Sequence, residues 1–374
     1  MTEITMQRAM FILGHAYGLN GTRGISAIFE GAPGDGKTTL MNEFAAKYLG
    51  GHAVTLETSR LQGTDLHIPI PDHTTKRIGF YASEDIADLA AEKEGLLFLD
   101  ELNRASDQST LAACINLFLE RRLGRLDFRH ITVWGACNPA SMVGGIELDA
   151  PFINRVVAVQ WPADSDPEDY AAHMTAIDPV SGKRAGNEWP DAPRDWEGRW
   201  PDAWRDCNVQ VCGFLRTSPH LLREEAPSTA RPWRSKRSWH TATNVLAACS
   251  LHKATIAETR ALLGWTIGPE AANSFLAWRA NANLPNPRDV VDGKVDMSRL
   301  RSDEMFLALS SAADYAIAEV GKGRGINIET FVDCLDACAD LHMEVVAPIA
   351  GRLVRNKIAP KYASKLFAKL LPTK

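Results

Sequence analysis

A glycine-rich segment near the start of the chain has the residue types and spacing of a phosphate-binding loop. It is Gly31-Ala32-Pro33-Gly34-Asp35-Gly36-Lys37-Thr38, followed by Thr39. Glycines let the backbone wrap closely around a phosphate, and a helix starting at Lys37 would point its positive end at the same place. Lys37 would reach the β- and γ-phosphates, and Thr38 would offer its hydroxyl to Mg²⁺. The segment predicts a nucleotide site with Mg²⁺; a structural glycine turn is the alternative.

Two acidic residues follow a strongly apolar run. Residues 96–99 are Leu-Leu-Phe-Leu, and Asp100 and Glu101 come directly after them. Ligands bind at the carboxyl ends of the strands in a parallel sheet, so these acids would lie near the glycine loop. We expect Asp100 to hold the magnesium shell and Glu101 to orient or deprotonate an attacking water. Two solvated acids at a strand end are the alternative.

Two further polar residues lie at the ends of predicted strands. Asn138 ends the run 131–138, where its amide would position the water or touch the γ-phosphate. A turn-forming asparagine before proline is the alternative. Arg155 opens the run 155–161, and a guanidinium at a subunit boundary can neutralise transition-state charge. A surface arginine is the alternative there.

Strands and helices alternate around these residues. Short apolar runs predict strands over 25–31, 52–58, 95–101, 131–138 and 155–161, with helices over 6–19, 38–49 and 107–122. Such runs favour an α/β fold with a parallel sheet that is covered on both faces. Beyond about residue 207 the pattern is mostly helical. We predict an α/β nucleotide-binding domain over 1–162, a helical domain with a Trp/Pro-rich insertion over 163–282 and an extra helical segment over 283–374.

The composition is ordinary for a globular protein. Of the 374 residues, 45% are hydrophobic and 23% are charged, which excludes a disordered chain. The net charge of −5 argues against a protein that wraps nucleic acid, because phosphate contact needs a positive surface. We expect no membrane span, because no window of about 18 apolar residues occurs, and no signal peptide. The seven scattered cysteines favour a reduced, cytoplasmic compartment.

Four motifs, in this order, resemble the AAA+ ATPases and within them the MoxR-like group. They are the glycine loop at 31–38, LLFLDELNRAS at 96–106, ACNPA at 136–140 and LDAPFINR at 148–155. The segment 60–66 is also similar to the sequence that follows the second strand in that group. The resemblance covers about 25–280, and it implies a P-loop ATPase domain with a helical lid that binds and hydrolyses Mg·ATP.

The resemblance implies a role for each matching residue. Lys37 and Thr38 match the Walker A pair, Asp100 and Glu101 the Walker B pair, Asn138 the sensor-one residue and Arg155 the arginine finger that acts on the neighbouring subunit. The family also has a sensor-two arginine at the start of a lid helix, which we assign to Arg237. Arg234 competes for this role, because the family often has proline before that arginine and this chain has Lys236.

The resemblance also implies an assembly and partners. We expect a ring of identical subunits, a hexamer by analogy, and MoxR-like proteins often work with a partner that carries a von Willebrand factor A domain. Residues 76–93 match an element that the group inserts in its second helix, and residues 122–130 match a hairpin before sensor one. In the family such inserts usually face the ring pore or a partner. An ordinary connecting loop is the alternative for each.

The function that we favour is a ring-forming ATPase that remodels or activates a partner protein, with an unknown client. The alternatives are an AAA+ motor that acts on nucleic acid, which the basic cluster 231–237 would favour, and a nucleotide-regulated scaffold, which Glu101 argues against. The guanine-reading Asn-Lys-x-Asp pattern is absent, which favours ATP over GTP.

Two groups of residues recur at helical spacing, and we interpret both as core residues. The first group is Trp196, Trp200 and Trp204, for which a docking surface is the alternative. The second group is Cys334, Cys338 and His342, for which a metal site is the alternative.

Overall fold

The computed structural model describes residues 4–66, 68–139, 148–162, 175, 179, 189–193, 195–281, 285–321, 325–340 and 342–358. Most of residues 163–188, at the start of the predicted helical domain, lies outside these residues, as does the end of the chain after 358. The chain forms two compact units, Met1–Ala203 with Arg223–Asn273 and Trp204–Leu222 with Ser274–Lys374. The three-part division of the chain stays a prediction.

A five-stranded parallel sheet forms the centre of the first unit. The strands among the described residues are β1 (Ala27–Glu30), β2 (Ala53–Glu57), β3 (Ile68–Asp72), β4 (Arg77–Tyr81), β5 (Leu96–Asp100), β6 (Arg122–Leu123), β7 (Leu126–Asp127), β8 (Thr132–Cys137) and β9 (Val157–Gln160). The sheet has the order β2-β5-β8-β1-β9. In β8, Trp134 packs on Phe44, whereas the next residue, Gly135, lies against Phe118. Helices therefore cover both faces, as the apolar runs predicted.

Two of the three predicted helices, over 38–49 and 107–122, are found to within two residues, whereas the helix predicted over 6–19 ends at Gly14. Fourteen α-helices lie among the described residues. They are α1 (Met6–Gly14), α2 (Lys37–Tyr48), α3 (Gly63–Leu66), α4 (Glu84–Ala91), α5 (Gln108–Glu120), α6 (Ala150–Ile153), α7 (Trp196–Thr217), α8 (Lys236–Leu251), α9 (Ile256–Ile267), α10 (Pro269–Asn281), α11 (Pro287–Val291), α12 (Ser302–Gly321), α13 (Ile328–Ala339) and α14 (Met343–Arg355). Asp107 caps α5 by accepting from the backbone N–H groups of Ser109 and Thr110. The predicted α/β P-loop class with a helical region after the sheet is confirmed by this layout.

Two antiparallel hairpins interrupt the alternation of strands and helices. The hairpin β6–β7 lies within the predicted range 122–130. The other hairpin, β3–β4, begins at Ile68, earlier than the predicted range 76–93. Pro69 and Pro71 hid the strand β3, because proline removes a ladder donor. Proline is nevertheless tolerated on an edge strand, and each strand of a two-stranded sheet is an edge.

Two groups of regularly spaced side chains contribute to packing. Trp196 and Trp200 are buried against Tyr17, with ring centroids 5.3 and 5.7 Å apart, so the core interpretation is confirmed for both. The helix α7 continues through Pro201. In the second unit, Cys338 belongs to the hydrophobic core. None of the described helices combines the length and apolar character that a bilayer crossing requires.

Candidate functional site

The sheet order brings three of the predicted segments to one edge. The strands β1, β8 and β5 are parallel neighbours, with β8 in the middle. The glycine loop follows β1, Asn138 follows β8, and Asp100 and Glu101 end β5. Asn138 therefore lies between the loop and the two acids, at the carboxyl edge where parallel sheets bind ligands.

The glycine loop has the backbone conformation that a phosphate cradle requires. Gly34 and Gly36 have φ angles of 91° and 76°, a region that side chains disfavour. A Cβ on Gly31 would lie only 2.5 Å from the Cβ of Trp161, so this position also needs glycine. The helix α2 begins at Lys37 directly after the loop, and its free N–H groups point toward the same space.

Lys37 lies inside the loop. Its side chain is 7% exposed, and its Nζ donates to the carbonyl oxygens of Gly31 at 2.9 Å and Ala32 at 2.7 Å. Burial lowers the pKa of Lys37, while the negative charges of Asp35 and Asp100 oppose that shift. A phosphate oxygen would be a stronger partner for this ammonium group than the carbonyls are, because both partners would then be charged.

Thr38 and Asp100 form a hydrogen-bonded pair of candidate magnesium ligands. The Thr38 hydroxyl donates to Asp100 Oδ2 at 2.7 Å, and the other carboxylate oxygen of Asp100 accepts from the backbone N–H of Glu101 at 2.9 Å. Hydroxyl and carboxylate oxygens are the donors that Mg²⁺ prefers, usually together with waters and phosphate. These two residues therefore fit a magnesium ion shared with a triphosphate.

Glu101 turns the chain sharply at the end of β5. Its φ of 50° lies in the left-handed region, which is strained for a residue other than glycine. The hydroxyl of Thr58 donates to the Glu101 carbonyl at 2.6 Å and supports this turn. The Glu101 carboxylate accepts from Arg104 Nη1 at 3.0 and 3.2 Å, an ion pair that we did not predict.

Hydrogen bonds hold both the side chain and the backbone of Asn138. Its side-chain oxygen lies 3.4 Å from Lys37 Nζ, within hydrogen-bonding reach. Its backbone C=O accepts from Asn103 Nδ2 at 2.7 Å, and its backbone N–H donates to Asn103 Oδ1 at 3.3 Å. Sequence reasoning missed Asn103, whose only signal was its place in the DELNRA run.

Arg155 and Arg237 lie at the other end of the sheet. Arg155 comes just before the amino end of β9. The first residue of β9, Val157, donates its backbone N–H at 2.9 Å to the carbonyl oxygen of Ser26, which comes just before β1, so the amino ends of β9 and β1 lie side by side. Both arginines line a polar cavity of about 190 Å³ with Ser26 and Glu120. The amino ends of β1 and β9 are thus the ends remote from the glycine loop. Arg237, which the family resemblance assigns as the sensor-two arginine, therefore lies away from the glycine loop of its own chain.

Contacts at the start of α8 explain the position of Arg237. Asn154 donates to the Trp233 carbonyl at 2.9 Å and accepts from the hydroxyl of Ser235, the cap of α8, at 2.6 Å. These bonds hold the start of α8 next to Arg155. Arg234, the competing residue, is paired with Glu224 at 2.7 Å, and its side chain is only 15% exposed. Arg237 is exposed, so the geometry favours Arg237 for a contact with a ligand.

An apolar cavity lies on the loop side of the sheet. It has a volume of about 470 Å³, and its lining includes Ile4, Met6, Gln160, Ala261 and Trp265. Gln160, which ends β9, donates to the carboxylate of Glu30 at 3.0 Å, and Glu30 is the residue before the glycine loop. An apolar cavity with an aromatic ring and an amide suits a nucleobase, which offers flat faces and polar edges.

Comparison with known proteins adds little to this description. No family model matches the chain, and no curated protein matches it. The chain is similar to a solved structure of a candidate ATPase from Cytophaga hutchinsonii ATCC 33406, with 13% identity and a TM-score of 0.41, over 72% of this chain and 78% of that chain. At this level we take nothing about the reaction from that protein.

Proposed function

We propose that this chain is an ATP hydrolase of the MoxR-like AAA+ type, which works as a ring of identical subunits. The observation that carries the proposal is the 2.7 Å hydrogen bond between Thr38 and Asp100, next to the buried ammonium group of Lys37. A lysine in a glycine loop and a hydroxyl–carboxylate pair are what a magnesium-bound triphosphate requires. Bound Mg²⁺ would neutralise charge on the phosphate oxygens.

Each residue of this site has its own role in hydrolysis. Lys37 exchanges its carbonyl partners for oxygens of the β- and γ-phosphates. Glu101 accepts a proton from the water that attacks the γ-phosphorus, while the bond to the β-phosphate oxygen breaks and ADP leaves. The carboxylate of Glu101 must first turn away from Arg104. Asn138, next to Lys37, orients the γ-phosphate or the water.

The apolar cavity supports adenine as the base. Trp265 offers a flat face, and the amide of Gln160 offers a polar group close to the glycine loop. Together with the absence of the guanine-reading pattern, this favours ATP as the nucleotide.

Arg155 and Arg237 complete the site of a neighbouring subunit in this proposal. They lie at the amino end of the sheet, whereas Lys37 lies at the carboxyl end, so within one chain the two groups face different ends. A contact between unlike ends of two copies is heterologous, and its repetition closes a ring when the rotation between copies is a whole fraction of a turn. A hexamer is the ring size implied by the family resemblance.

The ring would act on a protein partner. The hairpin β3–β4 exposes the apolar side chains of Ile68, Ile78 and Tyr81. This supports a contact with a client or with a partner that carries a von Willebrand factor A domain.

The basic cluster 231–237 gives less support to nucleic acid as the partner than its sequence suggested. Arg231 and Arg234 are both paired with Glu224, so fewer of its charges are free to contact phosphate.

Loss of Lys37 tests the nucleotide site. A ligand at 100 times its dissociation constant stabilises a protein by about 2.7 kcal/mol, so Mg·ATP should raise the melting temperature of the wild type. Lys37→Ala should abolish both this rise and the release of phosphate. Lys47→Ala is the matched control, because Lys47 belongs to the same helix but its amine pairs with Asp191 at 3.7 Å. Equal rises in the wild type and Lys37→Ala would contradict the assignment.

A further inference from the structure

Asn103 continues the hydrogen bonding of the sheet with a side chain. The last backbone pair between β5 and β8 is Leu99 with Gly135. Beyond this pair, the chain that follows β5 turns away from the sheet at Glu101. There the Asn138 backbone carbonyl accepts from Asn103 Nδ2 at 2.7 Å, and the Asn138 backbone N–H donates to Asn103 Oδ1 at 3.3 Å. A carboxamide carries one acceptor and one donor group, as a peptide unit does, so it can replace the missing strand.

This replacement is buried and specific. Asn103 and Asn138 are 3% and 5% exposed, so water does not readily substitute for a lost bond. The left-handed conformation of Glu101 and the short 3-10 turn Leu102–Arg104 bring Asn103 back toward β8. Both hydrogen bonds go to the backbone of Asn138, which leaves the Asn138 side chain directed toward Lys37 at 3.4 Å.

We propose that Asn103 is a positioning residue for ATP hydrolysis, which acts by fixing the peptide that carries Asn138. The inference rests on the proposed function of the site. The side chain of Asn103 hydrogen-bonds to the backbone of Asn138 and acts through that residue. A displacement of about 1 Å at a reacting group can cost about 100-fold in rate. Loss of Asn103 should therefore lower kcat and leave ATP affinity almost unchanged.

A double-mutant cycle separates positioning from plain stabilisation. Asn103→Ala, Asn138→Ala and the double variant are compared with the wild type for kcat at saturating ATP and for melting temperature. Asn103→Ala should lower kcat about 10- to 100-fold when Asn138 is present. In the Asn138→Ala background the same change should alter kcat less than about threefold, because the amide that it positions is already gone. The melting temperature should fall equally in both backgrounds, because the backbone partners remain.

Two further variants keep the test decisive. Asn103→Ser takes the place of Asn103→Ala in the same cycle if the alanine variant does not fold. Asn286→Ala is the stability control, because Asn286 caps α11 in the second unit and its loss should lower the melting temperature without lowering kcat.

The outcomes distinguish this inference from the proposed function. A wild type that releases no phosphate from ATP would overturn the proposed function and this inference together. A wild type that hydrolyses ATP, with equal losses of kcat from Asn103→Ala in both backgrounds, would overturn only the inference. A loss of kcat from Asn103→Ala that occurs when Asn138 is present, but not in the Asn138→Ala background, supports the inference.

Discussion

The two ends of the central sheet carry charged residues in different surroundings. At the carboxyl end, Lys37 donates to Asn138 at 3.4 Å and Thr38 donates to Asp100 at 2.7 Å, so these four residues form two hydrogen-bonded pairs. At the amino end, Arg237 is exposed, and Arg155, which donates to the Pro151 carbonyl at 3.0 Å, shares a polar cavity with it.

In the function that we propose, each end is half of a site. The carboxyl end has groups that fit a magnesium-bound nucleotide, and the arginine beside them, Arg104, is paired with the carboxylate of Glu101. The amino end offers two guanidinium groups, and its cavity of about 190 Å³ is small for a nucleotide. Joining unlike ends of two copies would supply what each end lacks.

Removal of Arg155 should have the largest effect on turnover. An arginine finger can be worth about 10³- to 10⁵-fold in rate, so Arg155→Ala should be nearly inactive. It should still bind Mg·ATP, because Lys37, Thr38 and Asp100 are untouched at the other end of the sheet. Phosphate release and ATP-induced thermal shift measure the two effects. Loss of ATP binding in Arg155→Ala would show that the two ends are not separate.

Replacement of Glu101 tests the carboxyl end alone. Glu101→Gln keeps the shape of the side chain but cannot accept a proton, so turnover should fall about 10²- to 10⁴-fold. ATP binding should persist, and the variant should accumulate in an ATP-bound assembly. Turnover within a few-fold of the wild type would exclude Glu101 as the base.

Acid should weaken the aromatic cluster that packs on the helix of the glycine loop. His15 contacts Tyr48 of α2, and burial lowers the pKa of His15 to about 4, with the nearby His252 and Arg23 adding to the shift. As the pH falls, the imidazole of His15 therefore becomes protonated in the unfolded chain first, near pH 6.5. Because this protonation favours the unfolded state, the free energy of unfolding should fall by about 3 kcal/mol between pH 6.5 and 4.

Denaturant titrations across this pH range measure the effect. His15→Asn should flatten the pH dependence, although it also lowers stability at neutral pH. His220→Asn is the control, because His220 is exposed and its loss should leave the slope unchanged. An unchanged slope in His15→Asn would show that other groups cause the acid sensitivity.

Release of Glu101 from Arg104 should have the smallest effect. The side chains of this pair are 24% and 45% exposed, and ion pairs of this kind are worth about 0.2–1 kcal/mol. Arg104→Gln should therefore raise kcat by no more than a few-fold, because the carboxylate is more often free to hold the water. A loss of more than tenfold would mean that Arg104 contributes directly to the reaction.

The sequence predicted the parts of the site that depend on local pattern. The glycine loop, the strand before Asp100 and the position of Asn138 each follow from a few consecutive residues, and the parallel sheet then brings them together. Asn103 and Arg104 were missed because their roles depend on the left-handed turn at Glu101. The position of Arg237 depends on bonds from Asn154 to residues some 80 positions later, which no local pattern contains.

The most direct test of the two-ended site mixes inactive variants under conditions where subunits exchange. If Arg155 and Arg237 both act on the neighbour, Lys37→Ala mixed with either Arg155→Ala or Arg237→Ala should recover ATP hydrolysis, since some interfaces join an intact loop to two intact arginines. Arg155→Ala mixed with Arg237→Ala should stay inactive, because every interface then lacks one arginine. Native mass spectrometry confirms that the rings are mixed. Recovery in this last mixture, with none from Lys37→Ala and Arg237→Ala, would show that Arg237 serves its own subunit and would contradict the account.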